Sequence, residues 1–76
     1  MGQGQKRLEI INHRKSVKLT QQDVANKAGI SRSFYAMVES GKRGCSMHTW
    51  LKLGGALNLS EDQLFEIILK DEKQNE

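Results

Sequence analysis

The sequence has no proline, a single cysteine, four aromatic side chains and no long apolar run among its 76 residues. Each shortage removes a class of protein. Without about 20 consecutive apolar residues no membrane span is expected, and the polar opening Met1-Gly2-Gln3-Gly4-Gln5 reads as a flexible tail over 1–4 rather than a secretory signal. One cysteine, Cys45, cannot close an intramolecular disulfide, which suits a reducing, cytoplasmic setting. Cys45, His13 and His48 stand at no spacing that a metal site uses, so no metal is expected, and both histidines read as surface or boundary residues. Paired catalytic carboxylates, an activated nucleophile and a phosphate-cradling glycine loop are missing too. The sequence therefore offers no support for an enzyme, a cofactor or a small-molecule ligand. Cys45 reads as a small, half-buried residue with nothing nearby to activate it.

What is present is charge, unevenly placed. The formal net charge is +3. From Met1 to Arg43, nine Lys and Arg face three Asp and Glu, a balance of +6; from Gly44 to Glu76, three face six, a balance of −3. A chain of this length makes one small domain, near the size at which a single core just suffices. A basic half joined to an acidic half points to a polyanion at one end and a different partner at the other.

The basic half contains Thr20 to Arg43, TQQDVANKAGISRSFYAMVESGKR. Thr20 is a good N-cap, and Asp23 three residues later can complete a capping box. Val24, Ala25 and Ala28 then form an apolar stripe at helical spacing, and Gly29 stops the helix where a left-handed residue is needed. This predicts helix 2 over 20–28. Ile30 is placed to plug the angle to the next helix. Ser31 is a second N-cap, opening helix 3 over 31–40 before Gly41 ends it. Tyr35 and Val38 form the inner side of helix 3, while Arg32, Ser33, Ala36 and Met37 face out. Two short helices joined by a glycine turn, the second with a polar outer face, make a DNA-reading helix-turn-helix.

Around this motif the pattern predicts three more helices. Helix 1 spans 5–16, with Leu8, Ile10 and Ile11 on its apolar side and Lys6, Arg7, Glu9, Arg14 and Lys15 in water. Val17-Lys18-Leu19 connects it to helix 2. Gly41-Lys42-Arg43-Gly44-Cys45 is a basic loop. Ser46 caps helix 4 over 46–58, whose core face is Met47, Trp50, Leu53, Gly54 and Leu57. Gly54-Gly55 costs roughly 1 kcal/mol per Gly relative to Ala in mid-helix. Close approach of another helix over Gly54 and a local adjustment of helix 4 both account for it. Ser60 and Gln63 form a further capping box for helix 5 over 60–70, with Glu61 and Asp62 placed well for its dipole. Leu64, Phe65, Ile67, Ile68 and Leu69 exceed what one buried stripe needs, which suggests a second, intersubunit surface. Residues 71–76 are charged and expected to fray.

The central stretch resembles the Cro/repressor-type (Xre-like) helix-turn-helix family of phage and bacterial regulators. The matching residues are Leu19-Thr20-Gln21, Ala25, Gly29-Ile30-Ser31-Arg32-Ser33 and Val38-Glu39-Ser40-Gly41-Lys42-Arg43. The resemblance continues through Ser46 to Leu59 and covers about residues 8 to 68. It implies an all-α, five-helix, lambda-repressor-like DNA-binding fold, and an Arg14–Glu39 ion pair tying helix 1 to the end of helix 3. It also implies that Gln21 contacts the DNA backbone and braces a residue of helix 3. The family usually has Gly where Lys18 stands and often Pro where Cys45 stands, so a strained turn and a looser loop are expected there.

On DNA, helix 3 would lie in the major groove. Arg32 is the strongest candidate for base readout, because its fork matches guanine O6 and N7. Ser33 is a weaker specifier, Ala36 and Met37 can pack on a thymine methyl, and Gln21 belongs to both the readout and the backbone set. Thr20, Gln21, Ser31, Ser40, Lys42 and Arg43 are the expected phosphate contacts, which set register and salt sensitivity. Phe34 flanks the DNA backbone or joins a partner surface. The expected activity is a transcriptional regulator, a repressor that binds a near-palindromic double-stranded operator as a homodimer. Leu64, Phe65, Ile68 and Leu69 are the candidate dimer interface. The alternative is an antitoxin or restriction-modification controller whose C-terminal helix engages a partner protein.

Overall fold

The computed structural model describes residues 6–74, with side chains described through residue 70. The expected tail over 1–4 and the chain end at 75–76 lie outside the described residues. Five helices follow in order: α1 (Leu8–Ser16), α2 (Gln21–Ala28), α3 (Arg32–Ser40), α4 (Met47–Ala56) and α5 (Glu61–Gln74). Among the described residues there is no strand.

The starts of α2 to α5 are fixed by side chains. Asp23 N–H donates to Thr20 Oγ1 at 3.0 Å, and Thr20 N–H donates back to the Asp23 carboxylate at 2.9 Å. Ser31 caps α3 through Phe34 N–H (3.0 Å), and Ser46 caps α4 through Thr49 N–H (3.2 Å). At α5, Gln63 N–H donates to Ser60 Oγ (3.2 Å) while Ser60 N–H donates to Gln63 Oε1 (3.0 Å). Each cap satisfies amide donors that the helix itself leaves unpaired.

The ends of α1 to α4 share one device. A residue with positive φ closes the turn, and the following N–H reaches back to the last full turn. Gly29 (φ 72°) and Gly41 (φ 82°) do this after α2 and α3. After α1 the same place is held by Lys18 (φ 62°), with Leu19 N–H donating to Arg14 O at 3.1 Å. After α4 it is held by Asn58 (φ 62°), with Leu59 N–H donating to Gly54 O at 2.9 Å. Lys18 thus occupies a left-handed turn that glycine would enter without a steric cost.

The core lies where α2, α4 and α5 meet the inner side of α3. Val24, Tyr35, Val38, Leu53 and Leu57 are fully enclosed. Ile30 packs against this cluster from the turn between α2 and α3. Gly54 lies under Leu64 of α5, so close that a Cβ there would stand 2.9 Å from Leu64 Cδ2. Gly55 has open space around it. The glycine pair is therefore explained at Gly54 by the approach of α5.

Four expectations are corrected. α1 begins at Leu8 rather than residue 5, and Leu8 is exposed; the inward positions are Arg7, Ile10 and Arg14, spaced three and four apart, which turns Leu8 outward. Met47 is also exposed, so the core face of α4 starts at Trp50 and takes in Ala56. Leu64 and Ile68 belong with Ile67 to the monomer's own core, an i, i+3, i+4 stripe that leaves only Phe65 and Leu69 exposed. Finally, α5 continues through 71–74, a stretch without glycine or proline to stop it.

Candidate nucleic-acid interface

Arg32 is the first residue of α3 and stands exposed at its N-terminal end. Its aim is set by α2. The Arg32 Nη1 donates to Gln21 Oε1 at 3.2 Å, and Gln21 Nε2 donates to Glu39 Oε1 at 2.9 Å. An arginine can only donate and an ionised carboxylate can only accept, so this order fixes which way the Gln21 amide faces. Glu39 is buried, and Arg14 completes the line: its Nε and Nη2 donate to the carboxylate, and its Nη1 donates to Leu19 O at 2.9 Å. Three helices and the α1–α2 connection are thereby tied to one exposed guanidinium.

The electrostatics follow from that arrangement. Burial pushes the Glu39 carboxyl up, but the hydrogen bonds from Arg14 and Gln21 and the Arg14 charge outweigh it and hold the group below the usual range. The hydrogen bond to Glu39 raises Arg14 in turn. Tyr35 sits beside this pair, fully enclosed, its hydroxyl without a hydrogen-bond partner among the described residues. Burial, and then the neighbouring Glu39 carboxylate, keeps that hydroxyl protonated.

Ser33 is exposed next to Arg32, while Ala36 and Met37 are half-buried along α3. Thr20 and Ser31 use their oxygens as cap acceptors, which leaves each hydroxyl proton available to a phosphate. Ser40 differs: its hydroxyl donates to Met37 O at 3.0 Å, so its proton is used inside the helix. Lys42 and Arg43 are exposed beyond the end of α3, and the Arg43 guanidinium lies over the Phe34 ring, 5.4 Å from its centroid. Phe34 is thus a half-buried support for a cation.

Two recesses border the reading helix. One, of about 500 Å³, is open and lined by Arg14, Lys15, Lys18, Thr20, Gln21 and Arg32 among others. The other, of about 270 Å³, runs between α1 and α3 past Lys6, Lys15, Ala36 and Ser40. Lys6, Lys15 and Lys18 were not among the expected contacts. Their signal was available in the basic count of the first half, but nothing local distinguished them from ordinary solvated lysines. Among the described residues no cluster of His, Cys, Asp and Glu could hold a metal, and no helix is long and apolar enough to cross a membrane.

These features define an all-α protein of lambda-repressor-like fold whose second and third helices form a helix-turn-helix. The helix-turn-helix family model matches residues 10–64, and the chain belongs to that family, in its Xre-like branch. It is 35% identical over 65 residues to the cryptic phage CTXphi transcriptional repressor RstR of Vibrio cholerae, covering 86% of this chain and 58% of that protein. It is 36% identical over 56 residues to an uncharacterized HTH-type transcriptional regulator, YqaF, of Bacillus subtilis, covering 74% of each. A second Bacillus subtilis regulator, YqaE, is matched over 46% of its length. The chain thus spans about half the length of two of these curated relatives. Among solved structures, the restriction-modification controller protein C.AhdI of Aeromonas hydrophila is 32% identical, with a TM-score of 0.73 over 78% of this chain and 89% of that one. Another controller protein, solved as a mutant on its highest-affinity operator site, is 25% identical, with a TM-score of 0.72 over 86% of each chain.

Proposed function

We propose that the chain is a sequence-specific double-stranded DNA-binding transcriptional regulator, a repressor that acts as a homodimer on a near-palindromic operator. The observation that carries this reading is the exposed Arg32 at the start of α3, braced through Gln21 onto the partly buried Arg14–Glu39 pair. Rigid support for one donor fork is what base readout needs and what a merely solvated basic face does not. Arg32 reads guanine, Ser33 and Gln21 assist, and Ala36 with Met37 packs on a thymine methyl. Thr20, Ser31, Lys42 and Arg43, joined by Lys15 and Lys18, grip phosphates on the two sides of the groove. Phe65 and Leu69 of α5 pair two copies, with Leu64 and Ile68 backing that face from within the core.

The likeness to controller proteins favours a second reading within DNA binding, a controller or antitoxin whose α5 engages a partner protein. Both readings are tested by incubating the purified protein with a pool of random duplexes, sequencing the bound fraction and measuring the mass by sedimentation equilibrium. A dimer that enriches a near-palindrome supports the repressor reading. A monomer that enriches a site only after a second protein is added supports the partner reading, and a protein that enriches nothing overturns both.

A further inference from the structure

The segment Gly41-Lys42-Arg43-Gly44 carries two of the cations that the proposed DNA contact needs, yet none of its side chains enters the core. Arg7 holds it. This residue precedes α1, and only 6% of its surface is exposed. Its backbone N–H donates to Glu39 O at 2.8 Å. Its Nη1 donates both to Val38 O and to Arg43 O, the latter at 2.8 Å. The central carbon of its guanidinium lies over the Trp50 ring, 5.6 Å from the centroid.

A helix ends with carbonyls that its own amides cannot reach, and a cation there is favoured by the helix dipole. In α3, Met37 O is taken by the N–H groups of Lys42 (3.0 Å) and Arg43 (3.3 Å). Arg7 serves the next two carbonyls, Val38 and Glu39, and then reaches past the helix to Arg43. The peptide of Arg43 is therefore fixed from below by Arg7 while its side chain rests on Phe34. Arginine places the donating Nη1 and the carbon over the indole at two points of one rigid group, whereas lysine has a single nitrogen on a flexible stem to serve both places.

We infer that Arg7 is a positioning residue for DNA binding: without touching nucleic acid, it fixes the backbone after α3 so that Lys42 and Arg43 present their charges to phosphates. The inference rests on the DNA-binding reading above. The test compares the wild type with Arg7→Gln and Arg7→Lys, by the salt dependence of binding to a random-sequence duplex and by hydrogen exchange of single amides. Each phosphate contact adds about 0.9 to the slope of log affinity against log salt. Both variants are expected to lose about one unit of slope. Neither should lose more when Lys42 and Arg43 are already glutamine. The amides of Lys42 and Arg43 should exchange faster while those of Val24 and Leu53 keep their protection. Arg7→Lys retains the charge, so an equal loss in it assigns the effect to geometry, and it carries the test if Arg7→Gln does not fold. An unchanged slope with uniformly faster exchange would make Arg7 a structural residue only. A loss that persists in the Lys42/Arg43 double variant would mean that Arg7 meets phosphate itself. Either result overturns the inference. If the wild type binds no duplex, the DNA-binding reading fails on its own, and exchange at Lys42 and Arg43 still decides whether Arg7 holds the segment.

Discussion

Arg32 has five N–H donors, and Gln21 accepts from one of its nitrogens. Enough donors remain for a bidentate contact to guanine, while the bond to Gln21 limits the rotamers that must be frozen on binding. Arg32→Ala is expected to cost roughly 1–3 kcal/mol on the selected operator and far less on random duplex, since phosphate contacts carry no sequence information. Titrations of both duplexes at one salt concentration measure this, and equal losses would show that Arg32 touches only phosphate. Glu39 makes the same network sensitive to acid. Its folded carboxyl titrates below the ordinary value of 4.5, so the stability that comes with its ionisation is full above that pH and lost as pH falls through the folded value. Glu39→Gln should be less stable than the wild type at neutral pH, and the difference should shrink in acid, as the pH falls through the lowered folded value and the wild type loses its carboxylate. Urea midpoints at neutral and acid pH check it. Asp23, lowered by the hydrogen bond from the Thr20 N–H, shares the acid limb in both proteins, so the difference between them isolates Glu39.

At the scale of elements, α4 contains its own control experiment. Gly54 and Gly55 pay the same helix-propensity cost, but only Gly54 lies beneath Leu64. Gly55→Ala should stabilise the protein by roughly 0.5–1 kcal/mol. At Gly54 an added Cβ meets Leu64 Cδ2 at 2.9 Å, so the gain in propensity is offset by repacking; Gly54→Ala should destabilise by about 1 kcal/mol net. Thermal melts of the two variants decide between these signs. The same helix shows what was legible beforehand. Caps and stops were readable at Thr20, Ser31, Ser46, Ser60, Gly29 and Gly41, because their chemistry is local and acts within four residues. Whether a neighbour approached Gly54 was not readable, because the answer lies ten residues on, in Leu64. The phase of α1 was misread for a related reason. Arg7 is buried by carbonyls 31 and 36 residues away, and a charged side chain gives no local sign of such partners. The hint was Arg7 and Arg14 standing on one side of Ile10, which read equally well as a wet face.

At the scale of the molecule, the basic and acidic halves occupy different elements. The cations of the first half line α1 and the turn after it, the last turn of α2 and both ends of α3, and the carboxylates of the second half lie mostly on α5. Crowding of apolar residues on α5 was legible as a surplus, but its size was not, because three of the five are needed at home. What is left is a stripe of Phe65 and Leu69, one turn apart, 45% and 58% exposed. Alone it is a narrow face for a stable dimer. Leu64, Ile67 and Ile68, buried on the opposite side of α5, keep the stripe at a fixed angle to α3, and the exposed Lys70–Glu9 pair adds little to that. A fixed angle is what two half-sites about 34 Å apart require of a dimer. Leu69→Lys puts a charge into that stripe without touching the core, so it is expected to leave the monomer's helix content and melting cooperativity unchanged while halving the mass in sedimentation. Its affinity for the near-palindrome should then fall towards that for a single half-site, with the slope against salt reduced by about half, since each subunit brings its own phosphate contacts. An unchanged dimer mass would remove α5 from the interface and move the search to the other exposed apolar side chains, Leu8 at the start of α1 and Met47 and Leu51 of α4.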